Sequence, residues 1–211
     1  ATVVPAPKQR NTEDEKAAIR AGKSARQIWR GKPNKAHQKD VDARWTVKIG
    51  DKVRYRPDGT PLPQIATPVF GYKSHISIDR RFGFIRKAAV TSAADSDGHQ
   101  LRRVIDTANT ASDVWADSAY RSSKNETWLK ANMLKSRIHR RKPMPEHMAR
   151  ANAAKSAIRA HVEHVFAHQK NRYGLFIRTI GIARAQAKLT LANLAYNFDR
   201  LIFHQRCATT G

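Results

Sequence analysis

The 211-residue sequence contains a single cysteine, few acidic residues and no long apolar run. Its one cysteine, Cys207, excludes a disulfide framework and a cysteine-based zinc site, and favours a reducing compartment. No run approaches the roughly 18 to 20 apolar residues of a membrane-spanning helix. The first residues lack the basic and apolar regions of a signal peptide. We therefore expect a cytoplasmic protein without a membrane segment.

The shortage of acidic residues leaves a strong positive charge. The chain has 17 Asp and Glu against 40 Lys and Arg, a formal net charge of +23. Such an excess favours a polyanionic partner. Hydrophobic residues make up 40% of the chain, which permits a buried core and argues against disorder throughout.

The first 70 residues contain little core material. Residues 1 to 4 are apolar and partly β-branched, which predicts a strand that the following prolines end. We interpret 5 to 70 as an exposed basic insertion in which Pro61, Pro63 and Pro68 block regular structure. Within it, Thr12 before three acidic residues predicts a short helix running toward Trp29.

From residue 71 the pattern alternates between strands and helices. Period-two patterning predicts a hairpin of strands 74–79 and 82–90, then a helix over 99–108 capped by Ser96 or Asp97. A short apolar strand at 114–116 ends on Asp117, and a polar helix contains Trp128. After Pro145 the chain is predicted to be helical, with interruptions at Gly174 and Gly181. This order predicts a mixed α/β domain.

Two carboxylates are candidate site residues. Between Glu146 and Asp199, Glu163 is the one acidic residue, and on a helix it shares a face with Arg159 and Lys170. The simpler alternative is an Arg159 to Glu163 surface pair, worth a few tenths of a kcal/mol. Asp117 follows an apolar strand, where open α/β sheets bind ligands, although an Asp before Ser also starts turns and caps helices.

Histidines and basic residues give weaker signals. His161, His164 and His168 lack the His-Glu-x-x-His order and a third ligand, so we do not expect zinc there and interpret them as partly buried or facing DNA. The basic run from 135 to 142 is interpreted as a segment that contacts phosphates, with a solvated loop as the alternative. Its basic residues are Lys135, Arg137, Arg140, Arg141 and Lys142.

The spacing of Arg159, Glu163 and Lys170 resembles the Tyr-Arg-Glu-Lys signature of DDE-type transposases of bacterial insertion sequences. Five further segments resemble that family in the same order, so the resemblance spans essentially the whole chain. They are Ala1 to Val4 followed by Gln9 to Thr12, Asp42 to Trp45, Gly71 to Asp79, Trp115 to Ser122, and Leu191 to Arg200. The chain is similar to the C-terminal, catalytic part of such a transposase.

The resemblance implies a ribonuclease-H-like fold and a trio of two Asp and one Glu that holds two divalent cations. Asp117 matches the second Asp, and Glu163 matches the Glu. Hard oxygen ligands select Mg²⁺ or Mn²⁺, and two such ions activate the nucleophile and stabilise the leaving oxygen of a phosphodiester. Arg159 and Lys170 match residues that contact DNA phosphates in the family.

The sequence departs from the family pattern at two points. Ser156 stands where the signature has Tyr, and the family's first catalytic Asp would lie immediately before Ala1. We therefore divide the chain into a stub of the first strand (1–4), the basic insertion (5–70) and the catalytic domain with its helical tail (71–211). We expect these 211 residues alone to have negligible cleavage activity.

Other functions stay open from the sequence alone. A non-catalytic, basic DNA-binding remnant would keep the phosphate contacts without the chemistry. An RNA-binding protein is suggested by charge alone, without a motif of interleaved aromatic residues. The resemblance also implies that the partner is double-stranded DNA, both the terminal repeats of the element and the target, and that the protein acts as a homodimer on paired DNA ends.

Overall fold

A computed structural model describes residues 1–49, 55–108, 112–139 and 146–209, with the backbone alone described for 146–149 and 151–155. Its larger sheet contains β1 (Thr2–Pro5), β2 (Arg44–Ile49), β3 (Ala66–Ile78) and β4 (Ile85–Ser92). The long strand β3 pairs antiparallel with each of the other three, with Val4 opposite Tyr72 and Trp45 opposite Phe70.

Glycine is required where β1 meets β3. A Cβ atom on Gly71 would lie 2.2 Å from the carbonyl oxygen of Val4, well inside the van der Waals contact distance. Val4 and Tyr72, on either side of this contact, are both fully buried. The absence of a side chain at Gly71 therefore lets β1 lie against the middle of β3.

The structure also has a second, smaller sheet of two strands. Its strands β5 (Asp113–Val114) and β6 (Lys135–Ser136) are parallel, and α5 (Ser123–Ala131) connects them. A short 3-10 helix (Asp97–Gln100) leads into α4 (Leu101–Val104), which packs beside this unit. The buried cluster here contains Leu101, Val114, Tyr120, Leu129 and Ile138.

Two long helices cover one face of the larger sheet. They are α6 (Glu146–Tyr173) and α7 (Ile182–Thr209), and their ends confirm the interruptions predicted at Gly174 and Gly181, which both have positive φ. Val165 and Phe166 of α6 pack with Ile76 and Ile85 of the sheet, while Leu189 of α7 joins the cluster around Val4. Among the described residues, no helix is long and apolar enough to cross a membrane.

The segment predicted as an insertion contains three helices, α1 (Glu13–Arg20), α2 (Ala25–Ile28) and α3 (Pro33–Gln38). The predicted helix start at Thr12 is confirmed, with a capping box formed by Thr12 and Glu15, but α1 ends at Arg20 and does not reach Trp29. Gly22, with φ of 77°, follows the end of α1, and Ser24 then caps the separate helix α2. Trp29 is buried against Ile19 and Ala36, so this segment has a small core of its own.

The structure corrects several predicted boundaries. Regular structure is not blocked before residue 71, since β2 lies in that segment and β3 begins at Ala66 and runs through Pro68. The predicted hairpin is confirmed, but β4 begins at Ile85 because Asp79 accepts backbone hydrogen bonds from Phe82 and Phe84 and holds the turn. The helix predicted over 99–108 ends at Val104, and the strand predicted at 114–116 ends at Val114.

The observed mixture of antiparallel and parallel strands with helices confirms the α/β class. The domain limits 1–4, 5–70 and 71–211 stay predictions.

Candidate functional site

Asp117 begins the 3-10 helix Ser118–Tyr120, three residues after the end of β5. Its Oδ1 accepts a hydrogen bond of 2.6 Å from the backbone N–H of Ser118, the capping role that the sequence offered as the simpler alternative. The side chain is 53% exposed, and its Oδ2 points to Arg159. Capping therefore uses one carboxylate oxygen and leaves the other directed into the site.

Arg159 lies on α6 between the two candidate carboxylates. A terminal nitrogen of its guanidinium, Nη1, is 2.7 Å from Oε1 of Glu163 and 4.0 Å from Oδ2 of Asp117. Glu163 is 58% exposed, whereas the Arg159 side chain is 31% exposed, and its Nε is buried without a hydrogen-bond partner among the described residues. The fold thus brings together two carboxylates that are 46 residues apart, with one cation between them.

A cavity of about 270 Å³ opens beside these side chains, and residues of both sheets line it. On one side it is bordered by Ile76 to Ile78 of β3, and on the other by 113–117 around β5. Ala1 also lines this cavity, as do Asp97, Asp117, Arg159 and Glu163. The cleft is thus lined by charged side chains together with apolar ones such as Leu101 and Phe166.

Asp97 lies at the same site and lines the cavity together with Ala1. Asp97 is itself paired with Lys73 at 3.0 Å. The local sequence pattern placed Asp97 at a helix start. It did not indicate that Asp97 belongs to this site, because nothing in the pattern shows that Lys73 and Ala1 lie next to it.

Lys170 lies two turns after Glu163 on α6 and contacts the first strand. Its Nζ donates a hydrogen bond of 2.7 Å to Oγ1 of Thr2. Burial lowers the Lys170 pKa, and the neighbouring charge of Lys48 lowers it further. The structure therefore places Lys170 beside β1, next to the site and still partly accessible.

The basic run from 135 to 142 starts beside the strand that leads to Asp117. Arg137 and His139 donate backbone hydrogen bonds to the carbonyl oxygens of Val114 and Ala116. The side chains of Lys135 and Arg137 are exposed, and Arg137 is paired with Asp113 at 3.2 Å. Three further residues of the predicted DNA contact lie outside the described residues: Arg140, Arg141 and Lys142.

Of the three histidines that the sequence singled out on α6, His168 connects this helix to α7. His168 Nε2 is 3.1 Å from Oδ2 of Asp199, which also accepts a hydrogen bond from the Tyr173 hydroxyl. These bonds, first from Tyr173 and then from His168, lower the pKa of Asp199 and join α6 to α7. His161 and His164 are exposed.

The described residues contain no group of three His, Cys, Asp or Glu side chains arranged to hold a metal ion. Asp117 and Glu163 nevertheless bring hard carboxylate oxygens to one cleft, the donor type that Mg²⁺ and Mn²⁺ prefer. These two residues therefore fit part of a divalent-cation site.

Comparison with known proteins independently indicates the family of this chain. The family described as "Transposase DDE domain" matches residues 1–198. A transposase for insertion sequence element IS1106 from Neisseria meningitidis serogroup B is 30% identical over 141 residues, which cover 64% of this chain and 43% of that relative. The chain thus spans less than half the length of this relative. No solved structure matches the chain.

Proposed function

This chain belongs to the Transposase DDE domain family, and from that premise we propose that its site serves metal-dependent cleavage and transfer of DNA strands. The observation that carries the proposal is the position of Arg159, 2.7 Å from Glu163 and 4.0 Å from Asp117. The residues that the family resemblance singles out, far apart in sequence, meet at one cleft.

Asp117 and Glu163 would hold the divalent cations, Mg²⁺ or Mn²⁺. Such ions, when bound, activate the attacking oxygen and stabilise the leaving oxygen of the phosphodiester. Arg159 reduces the repulsion between the two carboxylates and keeps both side chains directed into the cleft. Lys170, beside β1, is placed to attract a DNA phosphate.

The register of β1 supports a third carboxylate at this site. Thr2 pairs with Ser74, so a residue placed before Ala1 would lie opposite Ile76. Side chains alternate along a strand, and such a residue would share the face of Thr2, which contacts α6 through Lys170. An Asp at that position, as the family resemblance implies, would thus face the helix that carries Arg159 and Glu163.

The cavity supports the ribonuclease-H-like sheet that the resemblance implies. A strand that continued β1 before Ala1 would enter the cleft between β3 and β5, where the buried hydroxyl of Ser77 has no hydrogen-bond partner among the described residues. It would run antiparallel to β3 and join the two sheets into one mixed sheet. With two of three carboxylates, the 211 residues alone are expected to cleave DNA negligibly.

A specific observation favours a second candidate function, that of a non-catalytic DNA-binding protein. Asp117 caps a 3-10 helix, and Glu163 forms an i,i+4 ion pair, so each carboxylate also has an ordinary structural role. The net charge of +23 alone would support binding to DNA phosphates. This alternative requires no metal.

One experiment separates the two functions. Nicking of supercoiled plasmid DNA with Mn²⁺ is measured for the 211-residue chain and for a chain extended before Ala1 by an apolar strand that ends in Asp. We expect nicking from the extended chain alone, and its loss on Glu163→Gln. A matched control is Glu126→Gln, since Glu126 is paired with Arg121 as Glu163 is with Arg159, but lies outside the cavity lining.

Calorimetry with Mn²⁺ and DNA gives readouts that do not depend on turnover. The proposal predicts weaker Mn²⁺ binding after Glu163→Gln in the extended chain, with DNA affinity little changed. Metal-dependent nicking by the 211 residues alone would refute the expected inactivity. Salt-sensitive DNA binding without nicking or Mn²⁺ binding in the extended chain would favour the non-catalytic alternative.

A further inference from the structure

Trp115 lines the cleft and is only partly buried. Its two neighbours in sequence, Val114 and Ala116, belong to the apolar cluster beside α4, whereas Trp115 is not among the described members of that cluster. Trp29, by contrast, is 4% exposed and packs in the small core of the segment that contains α1 to α3. The indole of Trp115 is thus a large aromatic surface that lies at the cavity and not in a core.

The backbone around Trp115 places its side chain on the same face as that of Asp117. Backbone hydrogen bonds from Arg137 and His139 continue the parallel pairing of β5 with β6 as far as residue 116. Side chains alternate along such an extended segment, so those of residues 115 and 117 share one face, about 7 Å apart. Trp115 therefore lies next to a carboxylate of the proposed site.

A cation covers one side of the Trp115 ring. The guanidinium carbon of Arg80 is 5.0 Å from the centre of the ring, within the range of a cation–π contact. Arg80 is exposed and also lines the cavity. It holds the indole in place and adds a positive charge beside it, so an aromatic ring and a cation meet at the edge of the cleft.

A base of a DNA strand has the chemistry that matches this pair. Every base has a flat π-face that stacks on an aromatic side chain, and the neighbouring phosphates are attracted by an arginine. Within a duplex, adjacent bases cover both faces of each base, so a base must be unpaired or extruded to reach an indole. The choice of DNA as the strand rests on the proposed function.

We propose that Trp115, held by Arg80, stacks on one unpaired base of the DNA strand whose phosphate lies at Asp117 and Glu163. Stacking fixes the position of the strand along the cleft and is tolerant of the identity of the base. The contact requires neither the divalent cations nor a third carboxylate, because it uses the indole and the guanidinium alone.

Two oligonucleotides of equal charge isolate the contribution of stacking. One is a strand of about 12 thymidylates, and the other has the same number of phosphates but abasic residues throughout, so the attraction of the phosphates is equal. Without divalent cations, we expect the 211-residue chain to bind the thymidylate strand about tenfold more tightly. Trp115→Ala should remove most of this preference and leave the affinity for the abasic strand unchanged, whereas Trp115→Phe should retain part of it. The matched control is Trp45→Ala, because Trp45 is 44% exposed but lies outside the cavity lining.

Photochemical cross-linking tests the contact in the unsubstituted chain. A strand in which 5-iodouracil replaces thymine should become linked to Trp115, as located by mass spectrometry of tryptic peptides. Equal affinity of the unsubstituted chain for the two strands would overturn the proposal, as would cross-links at other residues alone. A preference that Trp115→Ala leaves intact, or that Trp45→Ala removes equally, would do the same.

These measurements are separate from the test of catalysis. If the extended chain fails to nick DNA, the preference for the base-bearing strand should persist, since no cation is present in the binding assay. If that preference is missing while nicking and Mn²⁺ binding are observed, the stacking site is wrong and the catalytic proposal stands.

Discussion

A buried hydrogen bond between Tyr72 and Asp40 gives the sharpest test of how the first 49 residues are attached. The Tyr72 hydroxyl donates to Oδ2 of Asp40 at 2.6 Å, and the two residues are 0% and 3% exposed. Asp40 also accepts backbone hydrogen bonds from Asp42, Ala43 and Gly181. One carboxylate thus connects the segment before β2, the strand β3 and the start of α7. The perturbation is Tyr72→Phe, which removes one oxygen atom.

The expected loss of folding stability follows from the negative charge of the Asp40 carboxylate. A hydrogen bond to a charged group contributes about 1.5 to 3 kcal/mol, and the Asp40 carboxylate stays buried after the change, so we expect about 2 kcal/mol. For a chain of this size that corresponds to a fall in Tm of roughly 4 to 8 °C. The three backbone donors remain, which keeps the loss below that of an uncompensated buried charge.

Urea denaturation at pH 7, followed by circular dichroism, measures the loss, with Tyr120→Phe as control. Tyr120 is 9% exposed, but its hydroxyl oxygen has no hydrogen-bond partner closer than 3.5 Å among the described residues, so we expect less than about 0.5 kcal/mol. Hydrogen exchange at Gly181 should also become faster in Tyr72→Phe. Equal effects of the two substitutions would refute the role assigned to Asp40.

Two further predictions concern protonation. Burial lowers the pKa of His75 to about 4, so between about pH 6.5 and 4 the unfolded chain binds a proton at His75 that the folded chain does not bind. Stability should therefore fall by up to about 3 kcal/mol as the pH falls through that window, and His75→Leu should flatten this fall in urea titrations; an unchanged slope would contradict the assignment. Hydrogen bonds from Lys35 and then Trp29 lower the pKa of Glu15 to about 2, so the stabilisation is present above about pH 4.5 and is lost as the pH falls toward 2. Glu15→Gln should speed tryptic cleavage within 13–38 at pH 7, whereas Glu13→Gln, whose carboxylate is paired with exposed Lys16, should not; equal rates would argue against the role of Glu15.

Local patterns in the sequence predicted local structure well. The acidic residues after Thr12 gave the start of α1, and Gly174 and Gly181 gave the limits of α6 and α7, because capping and glycine conformations depend on a few neighbouring residues. Boundaries set by distant partners were missed. Pro68 does not interrupt β3, since at that point it pairs with Val47 of a strand that the sequence pattern did not reveal.

The candidate site was predictable only in part. Hydrophobic periodicity placed Arg159 and Glu163 on one helix face, but the meeting of Asp117 with that face depends on how β5 packs against α6, which no local pattern specifies. The family resemblance supplied that connection. Asp97 was not predicted as a member of the site, because its proximity to Ala1 arises from the pairing of β1 with β3.

The bonds from Asp40 and Asp42 to the start of α7 also bear on how the chain folds during synthesis. Asp40 accepts a hydrogen bond from Gly181 and Asp42 accepts one from Ile182, across 141 and 140 residues of sequence. At roughly 5 to 20 residues per second, a ribosome needs about 7 to 28 s to reach the later partners. Throughout that interval the nascent N-terminal segment lacks its hydrogen bonds to the start of α7. Premature termination before Gly181 would therefore leave a strongly basic polypeptide exposed to proteases and to cellular nucleic acid.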